Sequence, residues 1–286
     1  MTATQSESRP ATGGSTEPVW TPGPAWLFCP ADRPDRYAKA AERADVVILD
    51  LEDAVAADRK ADARAALAAY PGLDPERTIV RVNAAGSPEH PADLALLREL
   101  PYRRILLAKT ESVDDLAGLV DYEVIVLLES PRGIVHAAQI CAAEPVIGVM
   151  WGAEDLLAGL GGSASRDADG RYRPVAVQAQ STALLAAKAA GRLAIDAVHV
   201  DIGDLDGLGR ESGDAVACGF DAKALIHPSH VPVVRDAFRP HPDQISWATR
   251  VLDWVAEHGS GVFTLDGQMV DGPVVAQARR ILARCA

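Results

Sequence analysis

The sequence predicts a parallel (β/α)8 barrel, because short apolar runs alternate with alanine-rich helical stretches along the chain. Eight runs have the length of strands, and most are apolar throughout rather than at every second residue. Such runs are typical of strands buried on both faces, and eight with interleaved helices can close a barrel. The predicted strands are Trp26–Cys29, Val46–Leu51, Thr78–Val82, Arg104–Ala108, Val124–Leu128, Val146–Met150, Ala197–Val200 and Ala222–Ile226.

Helical patterns separate the predicted strands. Ser130-Pro131 has the form of a helix start with proline at the first helical position, and Gly191 and Gly219 fit C-terminal caps. The alternative is a doubly wound open sheet, but no G-x-G-x-x-G follows the first strand, which argues against its dinucleotide-binding version. The predicted helices are Pro34–Ala44, Arg59–Ala69, Ala92–Leu100, Val113–Leu119, Gly133–Ala142, Val175–Gly191 and Leu205–Gly219.

The chain divides into three predicted parts. Residues 1–22 are rich in Ser, Thr, Pro and Gly without an apolar core, so they are expected to form a disordered tail rather than a signal peptide. The barrel occupies residues 23–240. Residues 241–286 are surplus to barrel closure and are expected to form a helical arm that caps one end or contacts a neighbouring subunit. This arm contains a helix over Asp243–His258, a strand over Gly261–Leu265 and a helix over Pro273–Cys285.

Composition excludes several classes of protein. Of the 286 residues, 28 are Lys or Arg and 40 are Asp or Glu, and the net charge of −12 argues against a nucleic-acid partner. No run of 18 apolar residues is present, so no membrane span is expected. The four cysteines are widely spaced and form no C-x-x-C pair, which indicates neither a zinc site nor a disulfide framework and favours a cytoplasmic protein.

Charged or polar side chains follow seven of the eight predicted strands. The C-terminal ends of barrel strands form one face, where catalytic groups collect. We therefore expect these residues to form one site, although a solvated rim held by internal salt bridges is the alternative. They are Asp50, Glu52 and Asp53; Arg81 and Asn83; Lys109 and Glu111; Glu129; Glu154 and Asp155; His199 and Asp201; and His227.

Glu129 and Asp155 follow adjacent strands and are candidate ligands of a metal ion. Two carboxylates completed by water and ligand oxygens suit Mg²⁺, and no His or Cys set has zinc spacing. The alternative is that Glu129 forms a structural ion pair with Arg81 or Lys109.

The neighbouring residues suggest how an anionic substrate is held. Gly152, Ala153 and Glu154 open a predicted helix, whose free backbone N–H groups suit a carboxylate. Arg81 is a candidate for binding an oxyanion or an enolate, or else it is only a structural ion pair. The acidic residues from Asp50 to Asp53 could bind a metal directly or through water, or could hold Arg81 and Lys109 in place. The supporting role is favoured for Glu52, Asp53 and Lys109, because basic neighbours relieve repulsion among several carboxylates. His227 has two candidate roles, a catalytic base or a hydrogen-bonded residue at the rim of the barrel.

Seven segments occur in order at the predicted strand ends and in the arm. They are Leu27-Phe28-Cys29-Pro30-Ala31-Asp32-Arg33-Pro34, Val47-Ile48-Leu49-Asp50-Leu51-Glu52-Asp53, Val80-Arg81-Val82-Asn83, Leu128-Glu129-Ser130-Pro131-Arg132-Gly133, Trp151-Gly152-Ala153-Glu154-Asp155-Leu156, Ile226-His227-Pro228-Ser229 and Gly267-Gln268-Met269-Val270-Asp271. Together they resemble the citrate lyase beta-subunit-like family of acyl-CoA lyases, which includes malyl-CoA and citramalyl-CoA lyases. The resemblance covers about residues 25–286 and is strongest to the stand-alone actinobacterial type.

The resemblance implies a (β/α)8 barrel, a homotrimer or higher homo-oligomer, a requirement for Mg²⁺ and a CoA thioester substrate. By position, Glu129 and Asp155 would be the metal ligands and Arg81 would bind the substrate oxygens. Asp271 would enter the site of a neighbouring subunit as a catalytic residue.

The expected reaction is cleavage, or formation by Claisen condensation, of a 3-hydroxyacyl-CoA such as citramalyl-, malyl-, citryl- or hydroxymethylglutaryl-CoA. The products would be acetyl-CoA and an oxo acid. The alternatives are a CoA-independent, Mg²⁺-dependent 2-oxo acid aldolase and a subunit that acts on a carrier protein.

Overall fold

The chain forms a closed barrel of eight parallel strands, which confirms the predicted fold class. The computed structural model describes Trp20, residues 22–259 and residues 261–285. Each strand pairs with the next in chain order, and the eighth pairs with the first. The strands are β1 (Ala25–Pro30), β2 (Val46–Asp50), β3 (Thr78–Val82), β4 (Arg104–Leu107), β5 (Glu123–Leu128), β6 (Val146–Trp151), β7 (Leu193–Asp196) and β8 (Ala222–Leu225).

Apolar side chains fill the interior of the barrel, and polar ones continue the same inward rows at its C-terminal end. Successive side chains of a strand point to opposite faces, so residues two apart share a face. Ile48 and Ile79 are in the interior cluster, which places Asp50 and Arg81 on the same face one step later. These two residues are also paired in register between β2 and β3. The barrel therefore leads directly into a charged site.

Helices surround the barrel, and their boundaries follow local capping signals. Proline occupies the first turn of several helices, where its missing N–H costs nothing. The Asp204 side chain accepts from the Gly207 N–H at 2.8 Å, and Gly219 ends the same helix with φ +112°. The helices are α1 (Pro34–Arg43), α2 (Lys60–Ala69), α3 (His90–Leu97), α4 (Pro131–Val135), α5 (Ala137–Cys141), α6 (Ala153–Gly159), α7 (Pro174–Ala189), α8 (Leu205–Cys218), α9 (His230–Phe238), α10 (Pro242–His258) and α11 (Gly272–Ala283).

The predicted position of the seventh strand is wrong. The sequence pattern favours Ala197–Val200, whereas β7 spans Leu193–Asp196. The buried charge of Asp196 interrupts the apolar run and hides the strand, but a lysine of β8 neutralises it. His199 consequently lies beyond the strand, and its Nδ1 contacts Glu211 of α8 at 3.1 Å.

Two predicted helices are also shorter than the pattern indicates. Only a 3₁₀ turn over Val113–Leu116 forms where a helix over Val113–Leu119 is predicted, because the chain turns extended at Ala117. The predicted helix over Gly133–Ala142 is interrupted at His136, which gives α4 and α5.

Of the predicted N-terminal tail, residues 1–19 and Thr21 lie outside the described residues. Trp20, inside that predicted tail, packs at the N-terminal end of the barrel. Its ring lies 5.4 Å from that of Trp26 and 4.4 Å from the Arg104 guanidinium, and its Nε1 donates to the carbonyl of Glu76 at 3.1 Å. This residue therefore covers part of the barrel end opposite the charged site.

The C-terminal arm has a small core of its own. It consists of α10, an antiparallel hairpin of β9 (Phe263–Leu265) and β10 (Gln268–Val270), and α11. The second hairpin strand is absent from the sequence prediction because three residues carry too little pattern. The arm's buried apolar residues form a cluster separate from the two clusters of the barrel. They are Ala248, Val251, Phe263, Val270, Val275, Ala278 and Ile281.

No helix in the described part of the chain combines the length and the apolar character that crossing a membrane requires.

Candidate active site

A cavity opens at the C-terminal end of the barrel, where the strand-end residues meet. Charged side chains line one part of it and apolar side chains line the rest. The lining residues are Phe28, Asp50, Asp53, Ala54, Arg81, Leu127, Glu129, Met150, Trp151, Gly152, Ala153, Glu154, Asp155, Val198 and Ile226. The cavity brings together eight of the candidate residues, namely Asp50, Asp53, Arg81, Glu129, Gly152, Ala153, Glu154 and Asp155.

Glu129 follows β5 directly and is buried beside the cavity, with 4% of its surface exposed. Its Oε1 accepts a hydrogen bond from the backbone N–H of Lys109 at 3.0 Å. Burial raises the pKa of Glu129 to about 8, and the negative charge of Asp155 adds to the effect. Two carboxylates that destabilise each other's charge are an arrangement that a cation would favour.

Asp155 lies in the first turn of α6, four residues after the end of β6. It is half-buried, and its Oδ1 is 3.7 Å from Lys109 Nζ. The chain passes from β6 to α6 through Gly152, whose N–H donates to the carbonyl of Leu128 at 3.1 Å. This turn places Asp155 beside Glu129 at the cavity.

Arg81 projects from β3 and is held by two carboxylates. Its Nε and Nη2 donate to the two oxygens of Asp50 at 2.6 and 2.5 Å, and its Nη1 is 2.9 Å from Glu52 Oε2. The guanidinium carbon lies 4.8 Å from the centre of the Phe28 ring. Although burial opposes the charge, Asp50 and Glu52 raise the pKa of Arg81 above its ordinary value. The guanidinium is therefore permanently charged and held in a fixed orientation.

Lys109 contacts both the acidic residues after β2 and the two candidate metal ligands. Its Nζ contacts Glu52, lies 2.8 Å from Asp53 Oδ2 and reaches toward Asp155. Its backbone is in the left-handed region with φ +49°, which is uncommon for a residue with a side chain. Such a conformation costs on the order of 1–3 kcal/mol and persists where surrounding contacts impose it. Here it points the N–H at Glu129 while the ammonium faces the acidic residues after β2.

Lys60 of α2 contributes to this geometry and is absent from the predicted site. It is buried, and its Nζ donates to the carbonyls of Leu51 and Glu52, both at 2.7 Å. It also donates to Asn83 Oδ1 at 2.9 Å, so it joins the chain after β2 to the end of β3. The sequence does offer one indication of its role. The chain has only five lysines, so a lysine on a helix next to the acidic segment is conspicuous.

The structure does not bring Asp271 or His227 into this cavity. Asp271 lies at the start of α11 in the arm, and its Oδ1 accepts from the N–H of Val274 at 3.3 Å. His227 is exposed after β8, with its Nδ1 2.7 Å from Ser229 Oγ. Within a single chain, the cavity is formed by barrel residues.

The acidic residues suit a hard cation that takes few protein ligands. Among Trp20, residues 22–259 and residues 261–285, no three His, Cys, Asp or Glu side chains are grouped so as to hold a metal ion. A cation between Glu129 and Asp155 would complete its coordination with water and substrate oxygens, as Mg²⁺ prefers.

Comparison with known proteins identifies relatives of this chain. The model of the HpcH/HpaI aldolase/citrate lyase family matches residues 25–228. The citrate lyase subunit beta-like protein of Mycobacterium tuberculosis is 55% identical over 262 residues, which cover 92% of this chain and 95% of that protein. The mitochondrial citramalyl-CoA lyase of Rattus norvegicus is 30% identical over 307 residues, which cover 96% and 89%.

A crystal structure of CitE from M. tuberculosis, in complex with magnesium, acetoacetate and coenzyme A, has the same fold. It superposes with a TM-score of 0.88 at 54% identity, and the match covers 93% of this chain and 99% of that chain. Because the family model matches residues 25–228 and relatives match over nearly the whole chain, this chain belongs to the HpcH/HpaI aldolase/citrate lyase family of carbon–carbon lyases.

Proposed function

We propose that the protein cleaves a 3-hydroxyacyl-CoA thioester into acetyl-CoA and an oxo acid, or forms the thioester by the reverse Claisen condensation, with Mg²⁺ as its cofactor. The observation that carries this proposal is the meeting of two carboxylates and a buried guanidinium at one cavity. The complex of the related CitE with magnesium, acetoacetate and coenzyme A supports it.

Glu129 and Asp155 are the residues that would hold Mg²⁺. Their mutual repulsion and the burial of Glu129 are both relieved by a divalent cation. When bound, Mg²⁺ would lower the pKa of the substrate hydroxyl and neutralise charge that builds on its oxygen. Lys109 keeps Glu129 oriented through its backbone N–H.

Arg81 is the proposed stabiliser of the thioester enolate. In the cleavage direction a base takes the hydroxyl proton, the carbonyl of the oxo acid forms and the carbon–carbon bond breaks. The bonding electrons pass to the acetyl-CoA fragment as an enolate, which then takes a proton on carbon. A guanidinium already held by Asp50 and Glu52 needs little reorganisation to meet the enolate oxygen.

The backbone at the start of α6 is proposed to hold the substrate carboxylate. Gly152, Ala153 and Glu154 line the cavity. The Gly152 N–H is already bonded to Leu128, whereas the N–H groups of Ala153 and Glu154, in the first turn of α6, have no partner inside the helix. The side chain of Glu154 accepts from the Ser165 hydroxyl at 2.7 Å. We therefore assign the binding role to the Glu154 backbone rather than to its carboxylate.

Asp271 is the proposed proton-transferring residue, supplied by a neighbouring subunit of a homotrimer. The separate core of the arm supports this, because the arm is a packed unit of its own.

The cavity favours an oxo acid with one carboxylate and an apolar substituent. Its uncharged wall contains Phe28, Leu127, Met150, Val198 and Ile226. Arg81 and Lys109, the two basic residues next to the carboxylates, already pair with acidic residues. We therefore place citramalyl- and hydroxymethylglutaryl-CoA ahead of citryl-CoA, whose oxo acid carries a second carboxylate.

The test is a panel of malyl-, citramalyl-, citryl- and hydroxymethylglutaryl-CoA with and without Mg²⁺, with acetyl-CoA and the oxo acid measured as products. We expect Mg²⁺-dependent release of both products. A difference of one substituent is expected to change kcat/KM about 10- to 200-fold.

The alternatives give different results in the same experiment. A CoA-independent aldolase would cleave free hydroxy-oxo acids and ignore the thioesters. A subunit that needs a carrier protein would leave all free thioesters intact. Either result would overturn the proposed substrate class.

A further inference from the structure

A cluster of buried charged side chains lies on the outer side of the barrel wall, behind β6, β7 and β8. Ile195 belongs to the barrel interior, so its neighbour Asp196 faces outward. Asp196 pairs in register with Lys223 of β8, and Lys223 is completely buried. The Lys223 Nζ donates to Asp196 Oδ2 at 2.6 Å and to the carbonyl of Ala197 at 2.8 Å. These residues do not line the active-site cavity.

Two further residues balance the charge of this cluster. Glu211 of α8 has its Oε2 3.6 Å from Lys223 Nζ, and it forms an ion pair with Arg166 from the segment between α6 and α7. The cluster therefore contains two carboxylates and two basic side chains, of which Asp196 and Lys223 are buried and Glu211 and Arg166 are half-buried. Buried ion pairs of this kind contribute little net stability compared with apolar residues of the same size. Their physical effect is to fix geometry, since every displaced partner leaves a buried charge unpaired.

A direct hydrogen bond joins the cluster to the end of β6 beside the active site. Trp151 is the last residue of β6, is 1% exposed, and donates from its indole Nε1 to Asp196 Oδ1 at 2.7 Å. Gly152 and the start of α6 follow immediately, and Asp155 is four residues after Trp151. The indole is thus tied to the cluster at the point where the chain turns into the proposed metal-binding segment.

The same indole is also held by its ring. Tyr172 packs edge-on against Trp151 with the ring centres 5.2 Å apart, and the Arg166 guanidinium carbon lies 3.8 Å from the centre of the Tyr172 ring. Arg166 itself pairs with Glu211. Two independent routes therefore lead from the charged cluster to the side chain of Trp151.

We propose that Asp196 is a positioning residue, which acts through Trp151 to fix the turn between β6 and α6 and so to hold Asp155 beside Glu129. This inference rests on the proposed function, because it takes Asp155 and Glu129 as the Mg²⁺ ligands. Ligands must keep their places within about 0.5 Å, and the residues that orient them affect metal affinity about 10- to 100-fold.

The test compares two residues that donate to the same oxygen. Gln180 of α7 also donates to Asp196 Oδ1, at 3.0 Å, but it lies on a helix away from the turn after β6. Trp151→Phe keeps an aromatic ring and removes the indole donor, and Gln180→Met removes the other donor. The dissociation constant of Mg²⁺ is measured by titration calorimetry on the metal-free full chain, together with the melting temperature.

We expect Trp151→Phe to weaken Mg²⁺ binding about tenfold and Gln180→Met to leave it within about twofold, whatever each does to the melting temperature. Equal effects of the two variants on Mg²⁺ affinity would overturn the positioning role. Asp196→Ala, which removes the acceptor oxygen, is measured alone and combined with Trp151→Phe as a second readout. If Asp196 acts through Trp151, the double variant binds Mg²⁺ no more weakly than the weaker single variant, whereas additive losses contradict the proposed route.

A further variant tests the proposed metal site independently of the positioning role. Unchanged Mg²⁺ affinity in Asp155→Ala would overturn the metal site itself. Weak binding by Asp155→Ala with equal effects of Trp151→Phe and Gln180→Met would overturn only the positioning role.

Discussion

Gly152 lies so close to Glu129 that no side chain fits between them. A side-chain carbon at residue 152 would be 2.8 Å from Cβ and 2.9 Å from Oε2 of Glu129. Contacts below 3.0 Å force one of the groups to shift. The absence of a side chain at the end of β6 is therefore a requirement of the buried carboxylate across from it.

Gly152→Ala is expected to displace Glu129 and to weaken Mg²⁺ binding about 10- to 100-fold, as for residues that orient metal ligands. Titration calorimetry with MgCl₂ measures this. Gly213→Ala is the matched control, because Gly213 lies in α8 with no atom within 4 Å of its added carbon. The control should keep its Mg²⁺ affinity and gain about 0.5–1 kcal/mol of stability. Normal binding by Gly152→Ala would contradict the requirement for glycine beside Glu129.

Glu129→Gln is expected to abolish Mg²⁺-dependent activity and to reduce the pH dependence of stability in the metal-free protein. Burial and Asp155 raise the pKa of Glu129 from 4.5 to about 8. A group with a raised pKa contributes stability that is present below the unfolded value and is lost as pH rises through the folded value. The metal-free protein should therefore lose stability between these two pKa values.

Urea unfolding in EDTA at a series of pH values measures this dependence. The amide that Glu129→Gln introduces does not titrate, so the variant should lose less stability over the same pH range. Asp155→Ala should also lose Mg²⁺-dependent activity with the fold retained. Identical pH profiles for Glu129→Gln and the unaltered protein would contradict the buried, high-pKa state of Glu129.

Much of this site could be predicted from the sequence because parallel strands end on one face. Glu129 and Asp155 follow adjacent strands, and that spacing alone places them together. The partners of Arg81 were harder to predict, since its pairing with Asp50 depends on which face of each strand is inward and on register. The left-handed backbone of Lys109 could not be predicted from the neighbouring residues, because contacts with residues distant in the sequence impose it.

The error at β7 has a similar physical cause. In the sequence, Asp196 interrupts an apolar run and so argues against a strand, since an unpaired buried charge would be costly. Lys223, 27 residues away, removes that cost by contact at 2.6 Å. Two buried charges that look unfavourable separately become compatible with strands only when the barrel brings them together.

Arg81→Lys is expected to lower kcat about 10²- to 10³-fold, the usual loss when a preorganised stabiliser of a developing charge is removed. An ammonium cannot reproduce the planar fork that meets both oxygens of Asp50 while also facing the cavity. Steady-state kinetics with the preferred thioester measures the change. A rise in KM with kcat unchanged would make Arg81 a group that binds the ground state instead.

Arg77→Lys is a suitable control for the loss of a guanidinium. Arg77 donates to backbone carbonyls at the opposite end of β3, including that of Asp45 at 2.9 Å, and it does not line the cavity. Its substitution should leave kcat unchanged, so a comparable loss of kcat in both variants would indicate a general effect on the barrel.

Asp271 has two possible roles that complementation separates. In its own chain it caps α11 through the Val274 N–H, and loss of such a cap costs about 1 kcal/mol. If it also completes a neighbouring subunit's site, Asp271→Ala should abolish activity, and Asp271→Asn, which can still cap the helix, should be equally inactive. A cap alone would leave Asp271→Asn nearly normal.

Mixing Asp271→Ala with Glu129→Ala under conditions that allow subunit exchange completes the test. Each protein alone is expected to be inactive, because one lacks the arm carboxylate and the other lacks a metal ligand. In a mixed oligomer, a barrel with Glu129 can receive an arm with Asp271, so part of the activity should return. Exchange is verified by mass spectrometry of differently tagged chains. Proven exchange without recovered activity would mean that Asp271 acts within its own chain or only as the cap of α11.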